Sequence, residues 1–204
     1  MAIISRTEKS FRIQHLGYLL ADDNYAFNSY LVFHGELLFL VDIPAVQKVE
    51  ELIKAISAYS SMAAITHVII QNMTMSHIET MKRLISAGLN ATIISNRYFL
   101  RQIKTAGIPL PFYSIEENAY LFSDQEKEII RFLPIVFLPF PQMLMSYFFT
   151  FEALFSSTLF SSLYENGKEP TADIVAKGIS LFEKQTFPSS DYLKDPLRRL
   201  KDYK

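Results

Sequence analysis

Apolar positions change their period several times along this chain, and each change marks an element. Tyr30–Phe33 and Glu36–Val41 are mainly apolar runs broken by His34-Gly35, which predicts a β-hairpin. Asp42-Ile43-Pro44 turns the chain. Val46, Val49, Leu52, Ile53 and Ile56 then follow at helical spacing. His67–Ile70 reads as a short buried strand, and Ile78–Ala87 as a helix stopped at Gly88. Ala91–Ser95 is a further strand, and Asn96–Thr105 a helix ended by Gly107. Strand-like segments follow at Ala119–Phe122, Leu133–Leu138 and Ala153–Ser157. Thr171–Lys184 is helical, and 191–204 is a polar C-terminal helix that could link to a further segment. Helices between buried strands favour layered packing over a bundle. Adjacent hairpin-like strands argue against a purely parallel sheet.

The chain has 204 residues, half of them apolar, so a single domain over 1–204 can bury a sizeable core. The softest boundary is Glu165–Pro170. A net charge of −1 gives no general attraction to nucleic acid. The absence of cysteine excludes disulfides, thiolate zinc sites, iron–sulfur clusters and cysteine nucleophiles. That leaves His15, His34, His67 and His77 for acid–base or metal chemistry. The N-terminus lacks the apolar core of a secretory signal, and a cytoplasmic location is expected. Phe132–Phe151 carries no charge, yet Pro134, Pro139 and Pro141 would break a spanning helix in its first half. The stretch reads as strand, proline-rich loop and strand, with no membrane span. No glycine-rich phosphate loop or Gly-x-Ser-x-Gly elbow is present. The carboxylate pairs Asp22-Asp23, Glu50-Glu51 and Glu116-Glu117 lie in polar stretches and read as solvated.

Four blocks in order carry a resemblance. They are Asn28–Asp42 (NSYLVFHGELLFLVD), Thr66–Leu84 (THVIIQNMTMSHIETMKRL), the pair RFLPIVFLPFPQML and EALFSSTLFSSL, and TFPSSDYLKDPLRRL. Together they resemble the metallo-β-lactamase fold, and within it the diiron branch of flavodiiron proteins and oxygen-binding diiron sensor domains. The resemblance implies an α+β fold of αββα type, a sandwich of two mixed β-sheets flanked by helices. It also implies a metal motif His-x-Glu-x-Asp-His on a loop between strand and helix, with further ligands in Phe-Leu-His-x-Pro and Leu-Phe-Ser-Gly-Asp stretches.

Against that pattern the ligands have largely gone. The loop reads Asn72-Met73-Thr74-Met75-Ser76-His77, so Asn72, Thr74 and Ser76 stand for His, Glu and Asp, and only His77 matches. Pro139 stands for a ligand histidine and Thr158 for the bridging aspartate. The closing Ala-Pro-x-His-Gly block has no counterpart up to Lys204. One histidine among neutral oxygens does not hold iron or zinc usefully. No metal or other cofactor is therefore expected, iron or zinc being the alternative.

His77 reads either as a remnant ligand contact or as a histidine in the first helical turn bonded to backbone. Asp42 reads either as the residue that orients a ligand histidine or as a cap for the helix after Pro44. His34 reads as a solvated turn residue. Met73, Met75, Phe140, Met143 and Met145 fall in the loops around the vacated site, as an apolar pocket or as ordinary core filling. The expected function is a non-catalytic, metal-free relative of the diiron proteins, a sensory, regulatory or protein-interaction module. It would act through a signalling output domain or protein partner, or as a homodimer. The alternative is an enzyme: a divergent metallo-hydrolase, or a diiron oxidoreductase acting on oxygen or nitric oxide.

Overall fold

The computed structural model describes residues 10–20, 26–135 and 142–158, with single positions of the C-terminal segment. Six strands form the first sheet in chain order: β1 (Ser10–Leu20), β2 (Ala26–Gly35), β3 (Leu37–Val41), β4 (His67–Ile69), β5 (Thr92–Ser95) and β6 (Phe112–Ser114). β1 to β3 are antiparallel, and β3 to β6 are parallel. The second sheet holds β7 (Leu121–Asp124), β8 (Lys127–Ile135), β9 (Met143–Phe148) and β10 (Ala153–Phe155), antiparallel throughout. The mixed character expected of both sheets thus belongs to the first.

Alternation along the strands explains the layers, because successive side chains leave opposite faces of a sheet. Leu31, Leu38, Leu40, Val68 and Ile93 face the helices α1 (Val49–Ser57), α2 (Met75–Ser86) and α3 (Arg97–Thr105). Their neighbours Val32, Phe39, Val41, Ile69 and Ile94 face the second sheet, where they meet Phe122, Ile130, Phe132, Leu144, Phe148 and Phe155. The central strands are covered on both faces, and so they read as unbroken apolar runs rather than alternating ones. Leu133, Ile135, Met143 and Met145 gather on the far face of the second sheet.

Helix ends follow local chemistry. Asn96 caps α3 by accepting the Phe99 N–H at 2.9 Å. Gly88 and Gly107 take φ of 101° and 73° just past α2 and α3, a conformation that glycine adopts without strain. Ala176, Ser180 and Lys184 are helical, as are Lys194, Asp195, Arg198 and Arg199. The rest of both expected C-terminal helices, Glu165–Pro170, Pro139 and Phe140 lie outside the described residues. No described helix is long and apolar enough to cross a membrane.

Candidate functional site

The ends of β3 and β4 meet the ends of β9 and β10 at one edge of the sandwich, and polar side chains converge there. Asp42 leaves β3 with φ of 57° and donates its N–H to the Ile69 carbonyl at 3.0 Å. A left-handed aspartate is strained backbone, a conformation that persists only where its surroundings hold it. What holds it is Gln71. The Gln71 N–H donates to Asp42 Oδ1 and the Gln71 amide to Oδ2, each at 3.0 Å. Ser157, itself at φ 53°, adds a side-chain hydrogen bond to the carboxylate. Burial raises the Asp42 carboxyl to about 6, against the pull of these bonds. Asp42 therefore does not cap the helix after Pro44; its oxygens are turned to Gln71 and Ser157 instead.

Gln71 is wholly buried. Its Oε1 accepts from the Ser146 hydroxyl, and its carbonyl accepts the Leu144 N–H at 2.9 Å. One side chain thus joins the end of the first sheet to β9 of the second. Sequence reasoning missed Gln71, Ser146, Ser157 and Asn28. A signal for Gln71 was present: a polar residue closing the buried run HVII must find partners inside the fold.

His77 occupies the third position of α2. Its Nδ1 accepts the Thr74 backbone N–H at 2.8 Å in a capping box, and a second hydrogen bond reaches the backbone of Ile43. With Nδ1 an acceptor, the neutral ring carries its proton on Nε2. Burial lowers its pKa to about 4, so the ring is neutral. Ser76 points away from the cavity, its hydroxyl accepting the Val46 N–H at 2.9 Å. Thr158 donates to Met143 Sδ at 3.3 Å.

Asn28, Asp42, Asn72, His77, Ser157 and Thr158 line a small cavity of about 20 Å³, room for one water. A larger one of about 330 Å³ shares Asn28, Asp42 and Ser157 with it. The structure thus brings together four of the positions singled out in the sequence, Asp42, Asn72, His77 and Thr158, and leaves Thr74 and Ser76 to the start of α2. Among the described residues no methionine lines either cavity. Met73, Met143 and Met145 are buried in core clusters, while Met75 is 74% exposed. Nor is His34 solvated: it is buried, its Nε2 2.8 Å from Thr150 Oγ1, with its ring edge-on to Phe11.

Residues 25–204 match the family described as ODP family beta lactamase. The chain belongs to that family. Solved structures agree on the fold. A flavodiiron protein from Giardia intestinalis superposes with a TM-score of 0.75 at 18% identity, over 96% of this chain and 53% of that one. A fragment of a diflavin flavoprotein from Nostoc sp. gives 0.76 at 15% identity, over 94% and 84%. Rubredoxin oxygen:oxidoreductase from Desulfovibrio gigas gives 0.66 at 17%, over 87% and 47%. The chain spans about half the length of the Giardia and Desulfovibrio proteins. No curated protein matches it by sequence.

The diiron centre implied by the resemblance is a poor fit to this ODP family member. Among the described residues no group of three or more His, Cys, Asp or Glu side chains is placed to hold a metal ion. Asn72, Ser157 and Thr158 offer neutral oxygens, Asp42 is the one carboxylate and is engaged with Gln71 and Ser157, and the one ring among the described lining residues, His77, has Nδ1 engaged and Nε2 protonated. Iron and zinc require several convergent nitrogen or carboxylate donors.

Proposed function

We propose that this chain is a non-catalytic, metal-free member of its family that works as a sensory, regulatory or protein-interaction module. The observation that carries the reading is the state of His77. The one side chain that matches the ligand pattern is built into the start of α2, hydrogen-bonded to Thr74 and to the Ile43 backbone. Freeing it for a metal would undo a helix cap, and among the described residues no second histidine lines the cavity. Asp42 is likewise engaged with Gln71 and Ser157. Such a module acts through what it binds, whether an output domain, another protein or a second copy of itself.

The test is elemental analysis of protein produced with ample iron and zinc, paired with thermal melting before and after a strong chelator. The expected result is sub-stoichiometric metal and a melting midpoint that chelation leaves unchanged. Stoichiometric iron or zinc that is lost in His77→Ala, with a chelator-sensitive midpoint, would instead establish the divergent metallo-hydrolase or diiron oxidoreductase.

A further inference from the structure

The cavity of about 330 Å³ lies at the lower end of the size range of small-molecule sites. Its lining is of two kinds. Part is polar, with the Asp42 carboxyl alongside Asn28, Gln71, Ser156 and Ser157. Part is apolar, with Ile13 and Ala153 alongside the rings of Tyr30 and Phe155, which meet edge to face at 4.9 Å. No Lys or Arg lines its described walls, so an anion would find no countercharge.

Among the described residues, Asp42 has one partner fewer than it can take. An ionised carboxylate presents about four lone-pair directions. Two are filled by the Gln71 N–H and amide, and one by Ser157. All three donors are neutral, so among the described residues no counter-ion bonds the charge that faces the cavity. A desolvated charge without an opposite charge is costly, and a cation from outside would relieve that cost. Aromatic walls favour the same sign of ligand, because ring faces attract cations. A metal ion is not the match, with a single anionic oxygen source on the lining.

We propose that this cavity binds a small organic cation, a protonated amine or amidinium on an apolar aromatic body. The charged head sits on the remaining Asp42 lone pair, and the body lies between Ile13, Tyr30 and Phe155. The proposal rests on the metal-free reading above, since a metal held at Asp42 would compete for the same oxygen.

The experiment is calorimetric titration of the full chain, chelator-treated and with its metal content measured first. The probes are benzamidine, its neutral isostere benzamide, and benzoate. Benzamidine is expected to bind saturably and raise the melting midpoint, with benzamide and benzoate at least about tenfold weaker. Asp42→Asn should abolish the preference for the cation. Ile13→Trp, on the exposed edge strand beside Val32, fills the apolar part of the cavity without touching the carboxylate, and should abolish binding in a protein that still melts cooperatively. Should Asp42→Asn fail to fold, the Ile13→Trp result and the three-probe comparison decide the matter. Equal binding of benzamide and benzamidine, no saturable binding of benzamidine, or unaltered affinity in either variant would overturn the proposal. Stoichiometric metal in the untreated protein would count against the metal-free reading alone, whereas failure of metal-free protein to take benzamidine counts against this one alone.

Discussion

At the scale of single residues, titrating groups shifted by burial pull stability in opposite directions. Burial lowers both His67 and His77 to about 4. A histidine whose folded pKa lies below its unfolded value near 6.5 contributes fully above 6.5, and that contribution is lost as pH falls towards 4. Asp42, raised to about 6, has the opposite sign: it destabilises the fold as pH rises from about 4 through 6. Over the same window, then, the two histidines, joined by His34, which burial also lowers, oppose acid, and Asp42 welcomes it. Stability measured by urea denaturation should therefore fall from pH 6.5 to 4, by about 3 kcal/mol from His77 alone, offset in part by Asp42. His67→Phe keeps a ring stacked on Phe39 and should flatten this slope. A profile in which His67→Phe tracks the parent would show that His67 does not titrate as described. Asp42 itself shows the limit of reading from sequence. Its position beside a ligand loop was legible, but its left-handed φ and its grip on Gln71 depend on where β4 ends in space.

At the scale of elements, the tight path from β6 to β7 carries strain that a substitution can release. Ala119 and Tyr120 both adopt left-handed backbone, at φ 53° and 60°, as the chain reverses after Glu116–Asn118. The Tyr120 N–H donates to the Ile115 carbonyl at 2.7 Å, and the Tyr113 hydroxyl donates to the Leu121 carbonyl at 2.6 Å, so the turn is held from both sides. Left-handed backbone costs an L-residue about 1–2 kcal/mol, part of which glycine returns as unfolded-chain entropy. Ala119→Gly should raise unfolding free energy by about 0.5–1 kcal/mol, read as a shift in urea midpoint at constant slope. A lower midpoint would contradict the strain assignment. Elements with a clear period were legible beforehand: α1, α2, α3, the β2–β3 hairpin and the short buried β4 and β5. β1 was not, because it is an edge strand with Phe11 and Ile13 exposed, and its register slips between His15 and Tyr18. That slip breaks the alternation on which a strand reading depends. β6 was not either, because it is the other edge strand, with Phe112 exposed and Tyr113 half-buried in place of a buried apolar run.

At the scale of the whole molecule, the two sheets are joined by an apolar interior and, at the cavity, by the Gln71 amide and the Ser157 side chain. Gln71 connects Asp42 on the first sheet to Ser146 and Leu144 on the second. Gln71→Leu would leave both the carboxylate and the hydroxyl without that partner inside the fold. Buried polar groups so deprived cost about 1–3 kcal/mol each. The expected loss is about 2–4 kcal/mol, measured by equilibrium denaturation, and a change below about 0.5 kcal/mol would mean the bridge carries no weight. The fold class was legible because motif order survives even where ligands do not. The chemistry of the cavity was not, since its polar lining comes from residues that have no place in the metal pattern, Asn28, Gln71 and Ser157.

The strand order has one further consequence, in the sequence of synthesis. Within each sheet every strand pairs with its neighbour in the chain, from β1 to β6 and then from β7 to β10. A ribosome delivering this chain can therefore complete the first sheet by Ser114, without waiting for anything downstream, as N-terminal units do when they fold first. The cavity cannot be finished so early. Asp42 and Gln71 come from the early half, and Ser146, Phe155 and Ser157 from the late one. Until the late half arrives, the nascent protein has a scaffold but no binding site.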